Sequence, residues 1–281
     1  MAMLLSGKDV AAAMKERLGD QTDHLRSAGI QPTLAVLRVG EKEDQIAYER
    51  GATKRCEGIG IEVRHVLFPD TCTQEELLDA IRTLNGDANV HGVLMLSPLP
   101  AHLDLEEAAA TLDARKDVDA ATTESLAGVF AGSGDGFSPC TAQACLEILR
   151  HYGIDPAGKR VAVLGRSLVI GRPAAMLLLH ANATPTICHS RTADAPSLTR
   201  AADIVIVAIG RAESIGAEYF SPGQTVIDVG TNWSDEKGKL VGDVAFDDVE
   251  PLVDAITPVP GGVGAVTTSV LASHVIEAAR R

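Results

Sequence analysis

Short apolar runs alternate with stretches of helical spacing along most of this chain. Residues 34–39 (LAVLRV), 61–68, 90–96 (VHGVLML), 161–164 (VAVL), 186–189, 204–208 and 226–229 predict strands. Residues 10–25, 45–58, 73–85, 103–112, 142–151, 173–181, 197–202 and 267–280 carry the spacing of helices. Gly29 closes the first helix and Gly40 the first strand. Thr73 with Glu76 predicts a capping box. Strand followed by helix, repeated, is the pattern of an α/β fold built on parallel sheet. The pattern lapses over 120–138, where Gly132, Gly134 and Gly136 fall, so a domain boundary is expected there. Residues 238–241 predict a hairpin.

Composition narrows the class. The 281 residues are 46% hydrophobic and 22% charged, an ordinary globular balance with room for one large or two medium domains. The net charge of −13 argues against a nucleic-acid partner, because phosphate backbones are met by basic surfaces. An anionic small molecule would need a local basic site. The five cysteines are scattered without the spacing of a metal site, so no metal and reduced thiols in a cytoplasmic protein are expected. Residues 1–20 lack a signal-peptide core, and no apolar run approaches a membrane span.

The stretch with most chemistry is VAVLGRSLVIGRP, residues 161–173. A strand ends at Gly165, a tight turn passes through Arg166 and Ser167, and Gly171 and Pro173 open a helix. Such a turn offers backbone N–H groups and a helix N-terminus to a phosphate. Arg166-Ser167 stands where the G-x-G-x-x-G fingerprint has its middle glycine, so the loop alone fits an ordinary strand-to-helix turn as well. The four strands of the second half make a dinucleotide domain the better account. The second of them ends in Cys188-His189-Ser190-Arg191-Thr192, with no carboxylate for a ribose 2′-hydroxyl. Ser190 and Arg191, aided by Arg166, suit a 2′-phosphate, so NADP is expected rather than NAD. Their bland alternative is solvated surface charge. Gly230 and Thr231, with Asp228 and Asn232, flank the exit of the last of these strands, where cofactors sit in open sheets. His189 is read as structural or cofactor-adjacent.

Several stretches together resemble the methylenetetrahydrofolate dehydrogenase/methenyltetrahydrofolate cyclohydrolase family across essentially the whole chain. They are LAVLRVG (34–40), SPLP (97–100), KDVD (116–119), Pro139-Cys140-Thr141, GRSLVIGRP (165–173), Cys188-His189-Ser190 and TPVPGGVG (257–264). The last is the most specific, with two Pro bonds able to be cis and three glycines in eight residues. The resemblance implies an N-terminal α/β catalytic domain and a Rossmann-type NADP-binding domain facing it across a cleft. The C-terminal helix would return to the first domain. The implied domains are 1–138 with 267–281, and 139–266. It also implies a homodimer in one-carbon metabolism, with purine biosynthesis among its outlets. The implied chemistry is oxidation of 5,10-methylenetetrahydrofolate by NADP to the methenyl cation. In bifunctional members, water then opens that cation to 10-formyltetrahydrofolate.

The resemblance also assigns residues. Asp119 matches the family's pterin-binding carboxylate, which suits a 2-amino-pyrimidinone edge with paired N–H donors. Tyr48 is expected to line the folate, and Tyr48 and Asp119 are the catalytic candidates. Pro98, Leu99, Pro260, Gly261 and Gly262 fall in the substrate-binding turns. A surface Asp and a core aromatic are the bland alternatives for Asp119 and Tyr48. Cys140 is read as a packed thiol, since no partner His is evident.

Four positions depart from the family. Its Tyr is followed four residues later by a Lys, whereas Tyr48 is followed by Ala52. Its Ser three residues before the Tyr is Gln45, and its Gln before the L-P-L-P turn is Leu96. The last signature runs on as Ala265-Val266-Thr267 instead of Pro-Met-Thr. Lys54 lies two residues beyond Ala52, rotated by about 200° on a helix, and is expected to be a surface charge. Hydride transfer needs mainly alignment with the cofactor, while water addition and ring opening need proton transfers that Ala52 cannot make. The expected outcome is a dehydrogenase with little or no cyclohydrolase activity. The alternatives are a fully bifunctional enzyme with its proton relay supplied elsewhere, Gln45 and Arg50 included, and a cofactor-binding pseudo-enzyme.

Overall fold

The computed structural model describes all 281 residues. In chain order the first half holds β1 (Met3–Leu4), α1 (Gly7–Ser27), β2 (Thr33–Val39), α2 (Glu43–Glu57), β3 (Glu62–Phe68), α3 (Gln74–Gly86), β4 (Gly92–Met95), α4 (Leu105–Thr111) and α5 (Thr123–Ala131). Then come α6 (Cys140–His151), β5 (Arg160–Leu164), α7 (Gly171–His180), β6 (Thr184–Cys188), α8 (Ala195–Arg200), β7 (Ile204–Val207) and β8 (Thr225–Asp228). The chain closes with β9 (Asn232–Ser234), β10 (Lys239–Val241), α9 (Phe246–Val249), β11 (Ala255–Ile256) and α10 (Thr267–Ala278). No helix is long and apolar enough to cross a membrane. All five cysteines are free and buried.

Two compact units result. The first comprises Ala13–Cys140 and Thr268–Arg281, and the second Met1–Ala12 and Thr141–Thr267. The first twelve residues therefore belong with the second unit, not with the first domain as the sequence implied. The cause is β1, whose Met3 and Leu4 pair in parallel with Ala255 and Ile256 of β11. Two-residue strands are too short to show a period.

The first unit is built on a three-stranded parallel sheet in the order β3-β2-β4. Every residue of β2 is buried, as a central strand covered on both faces requires. Ala35, Leu37 and Val39 alternate onto one face and join Leu77, Leu78 and Ile81 of α3 and Ala108 of α4 in a single core. Thr73 accepts the Glu76 N–H while the Glu76 carboxylate accepts the Thr73 N–H, which completes the expected capping box. α2 turns Gln45, Glu49, Ala52 and Cys56 inward. Glu49 is held there by two partners: its Oε2 is 2.5 Å from the Arg38 Nε on β2, and its Oε1 is 2.6 Å from His65 Nδ1 on β3. Removing one partner of such a buried pair costs about 3–5 kcal/mol.

Residues 120–138, expected to be irregular, contain the nine-residue helix α5. The Thr122 side chain accepts the Ser125 N–H at its start, and Gly132 adopts the left-handed conformation at its end. The glycines that obscured the pattern are thus partly a helix terminator.

The second unit carries six parallel strands in the order β1-β11-β8-β7-β5-β6. β6 follows β5 on one side and β7 pairs on the other, so the strand order reverses at β5. In open α/β sheets the crevice beyond the C-terminal end of such a strand is the ligand site. Gly165 is the first residue past that end.

Candidate active site

At the reversal point of the second unit lies a cavity of about 480 Å³, large enough for a cofactor fragment. Gly165, Arg166, Ser167, His189, Ser190 and Arg211 line it, and no Asp or Glu does. Gly165 has a φ of +128°, and a side chain on it would strike the Ala208 carbonyl just past β7. A side chain on Gly171 would strike the Gly165 carbonyl. These glycines let the turn pack against its own sheet, so their first role is steric.

The helix N-terminus is less open than the sequence implied. Ser167 Oγ accepts the N–H groups of Ile170 and Gly171 at 3.1 and 3.4 Å, and its carbonyl accepts that of Arg172 at 3.1 Å. The first amides of α7 are therefore already spent within the turn. Gly171 and Pro173 are buried at the start of α7 and do not line the cavity. Arg191 is exposed and also outside the lining; its N–H donates to His189 Nδ1 at 3.1 Å, which keeps His189 beside the cavity.

Gly230 and Thr231 stand outside the lining as well. Gly230 N–H donates to Asp228 Oδ1 at 2.9 Å, and Asp228 also accepts the N–H groups of Asp243 and Val244. Burial outweighs these bonds and pushes the Asp228 carboxyl up to about 6. Asp243, which the sequence pattern did not mark, is wholly buried. Its carboxylate accepts the N–H groups of Ile209, Gly210 and Arg211 at 2.7–2.9 Å, and the Asn232 amide at 2.9 Å. Asp228 and Asn232 are thus loop braces, and Asp243 is their centre.

The catalytic candidates lie together in the first unit. Tyr48 is on α2, and burial, with Asp119 beside it, drives its hydroxyl well above the usual value. Asp119 Oδ1 accepts the Cys140 N–H at 2.8 Å. Burial raises the Asp119 carboxyl to about 6 against that stabilising bond. Cys140 does have a histidine neighbour: its Sγ is 3.7 Å from His274 Nδ1 on α10. That ring nitrogen is also 2.9 Å from the Val118 carbonyl, which can only accept, so Nδ1 carries the proton and cannot take one from the thiol. Burial drives the Cys140 thiol well above its ordinary value, and it remains a packed thiol.

The departing positions also have definite places. Ala52 and Leu96 are buried, at 0% and 5% exposure. Lys54 and Arg50 are exposed and line a separate cavity with Arg38, Glu49 and His65, consistent with the half-turn that separates them from Ala52. Gln45 is buried, with its Nε2 donating to the Pro98 carbonyl at 3.0 Å and its Oε1 unpartnered. Lys42 Nζ donates to the same carbonyl at 3.2 Å.

Both turns expected to bind substrate contain a cis bond, at Ser97–Pro98 and Val259–Pro260; Thr257–Pro258 is not cis. Pro98 is exposed, while the Leu99 side chain belongs to the core under β2. Pro260 is exposed and Gly262 buried. The Gly261 carbonyl accepts the Gly7 N–H at 2.8 Å.

Residues 5–119 match the tetrahydrofolate dehydrogenase/cyclohydrolase catalytic domain, and residues 139–281 match the NAD(P)-binding domain of the same name. The chain belongs to the tetrahydrofolate dehydrogenase/cyclohydrolase family. Within that family it is 50% identical over 279 residues to the bifunctional protein FolD of Carboxydothermus hydrogenoformans, covering 99% of this chain and 97% of that protein. It is 45% identical to the FolD of Alkaliphilus oremlandii, over 100% of this chain and 98% of that one. The Campylobacter jejuni FolD structure superposes with a TM-score of 0.96 at 38% identity, covering 100% of this chain and 99% of that one. The Trypanosoma brucei FolD, complexed with NADP and an inhibitor, gives 0.92 at 35%, covering 100% and 98%. The two-domain α/β architecture and the dinucleotide unit expected from the sequence are those of the family.

Proposed function

We propose that this protein oxidises 5,10-methylenetetrahydrofolate to 5,10-methenyltetrahydrofolate with NADP, and that hydrolysis of the methenyl product is the slower half of its chemistry. The cofactor cavity supports this most directly: in a chain of net charge −13 it has two guanidinium groups and no carboxylate in its lining. Bound there, NADP would supply the hydride acceptor. Arg166 and Ser190 would hold its adenosine end. In the first unit, the carboxylate of Asp119 would accept the paired N–H donors of the pteridine, with Tyr48 against the folate. The backbones of Pro98 and Leu99 would shape its binding turn. Pro260, Gly261 and Gly262 would supply the second turn. A homodimer in the cytoplasm completes the proposal, and sedimentation of the purified protein tests the dimer.

A second proposal, that the chain is fully bifunctional, has the comparisons on its side. Relatives matched along their whole length at 45–50% identity carry the name bifunctional protein. Likeness over the whole chain therefore favours efficient cyclohydrolase activity, while reduced activity rests on Ala52 and Leu96 alone. Both assign the same oxidation. Following NADPH formation and methenyl decay with purified protein decides between them. Methenyl hydrolysis at the rate of oxidation overturns the first proposal in favour of the second. Absence of NADPH formation, with NADP still bound, overturns both and leaves a cofactor-binding protein.

A further inference from the structure

The cavity beyond β5 holds a cation that no sequence motif marks. Arg211 lines it together with Arg166, and neither guanidinium has a carboxylate partner. Thirteen more acids than bases are spread over the chain, yet none lines this cavity. An unpaired arginine at such a site is a ready partner for phosphate, since its planar fork matches phosphate oxygens and keeps its charge.

The loop that carries Arg211 is built rather than slack. Three consecutive N–H groups, of Ile209, Gly210 and Arg211, converge on the carboxylate of Asp243, and Asn232 adds a fourth donor. Gly210 takes a φ of +70° in this turn, which lets the amides point one way. The Arg211 carbonyl accepts the Ser214 hydroxyl at 3.0 Å. The Arg211 backbone is thereby fixed on both sides. Asp243 spends its charge on these four donors and not on the guanidinium. Arg191, in contrast, lies outside the lining although it follows Ser190 directly.

We propose that Arg211 is a specificity-determining residue for the 2′-phosphate of NADP, acting with Arg166. The inference rests on the NADP preference proposed above. It adds that the second cation comes from the loop after β7, not from Arg191 after β6.

Titration calorimetry of NADP and of NAD against wild type, Arg211→Gln, Arg211→Lys and Arg191→Gln tests it without turnover. Arg211→Gln should raise the NADP dissociation constant by about tenfold and change that of NAD by less than about twofold. Arg211→Lys should recover part of the loss, and Arg191→Gln should move neither constant by more than about twofold. Equal weakening of NAD and NADP by Arg211→Gln would place Arg211 on a part common to both cofactors and overturn the inference. So would no weakening of either. Equal affinity of the wild-type protein for NAD and NADP is a different result: it removes the cofactor preference itself.

Discussion

Arg166 and Arg211 stand at the surface of one unit without carboxylate partners, whereas Asp119 in the other unit is shielded until its carboxyl is pushed up to about 6. One site keeps charge in water, where Coulomb forces are damped but the charge costs little to maintain. The other takes a carboxylate and a phenol out of water and supplies no cation from α2, where Ala52 stands after Tyr48. The first arrangement suits recognition of an anion. The second holds a proton close to its transfer point. Charge therefore appears ready-made on the cofactor side and conditional on the folate side.

The comparison breaks most visibly at Asp119. Asp119→Asn should lower turnover of methylenetetrahydrofolate by about 100-fold while the NADP dissociation constant stays within about twofold, read by steady-state kinetics and calorimetry. Its pH signature follows from the raised carboxyl. The folded state favours the protonated form, so that contribution to stability is fully present below about pH 4. It is lost as pH rises through about 6. Asn cannot ionise, so the variant should gain stability relative to wild type between pH 4 and 7, by up to about 3 kcal/mol in urea unfolding. A difference independent of pH would show that Asp119 is not shielded.

On the cofactor side, Gly165→Ala should cost about 2 kcal/mol or more in urea unfolding, because its backbone is left-handed and the Ala208 carbonyl occupies the space. NADP affinity should fall with it. A smaller effect is expected from Ala52→Lys combined with Leu96→Gln. The pair should raise methenyl hydrolysis relative to oxidation by about tenfold, below the usual benefit of a placed acid–base group, because Gln45 stays buried on the same helix. No change in that ratio would sink the account that ties slow hydrolysis to these two positions. Smallest is Thr73→Ala, which removes the cap of α3 away from both sites. It should cost about 1 kcal/mol and leave both activities unchanged.

Much of the architecture was legible because it repeats. The run LAVLRV predicted β2 to within a residue, and Thr73 with Glu76 predicted the start of α3. Apolar period and capping chemistry are local, so they survive in a bare sequence. β1, β11 and α9 did not show, since elements of two to four residues hold less than one period. α5 was hidden because its terminating glycine read as loop.

The sites divide along the same line. The glycine turn, Asp119 and Tyr48 were marked by their positions in continuous motifs. Arg211, Asp243 and His274 were not, because each is defined by neighbours distant along the chain. Asp243 gathers amides from 209–211, and His274 meets the carbonyl of Val118. The sequence by itself determined the alternating α/β plan and the folate-family motifs, since these are properties of residue type and spacing. The tertiary structure alone decided which arginine faces the cofactor cavity, which residues start the second unit, and why Cys140 keeps its proton. Charge placement and burial depend on what the folded chain brings within a few ångströms, and no local period records that.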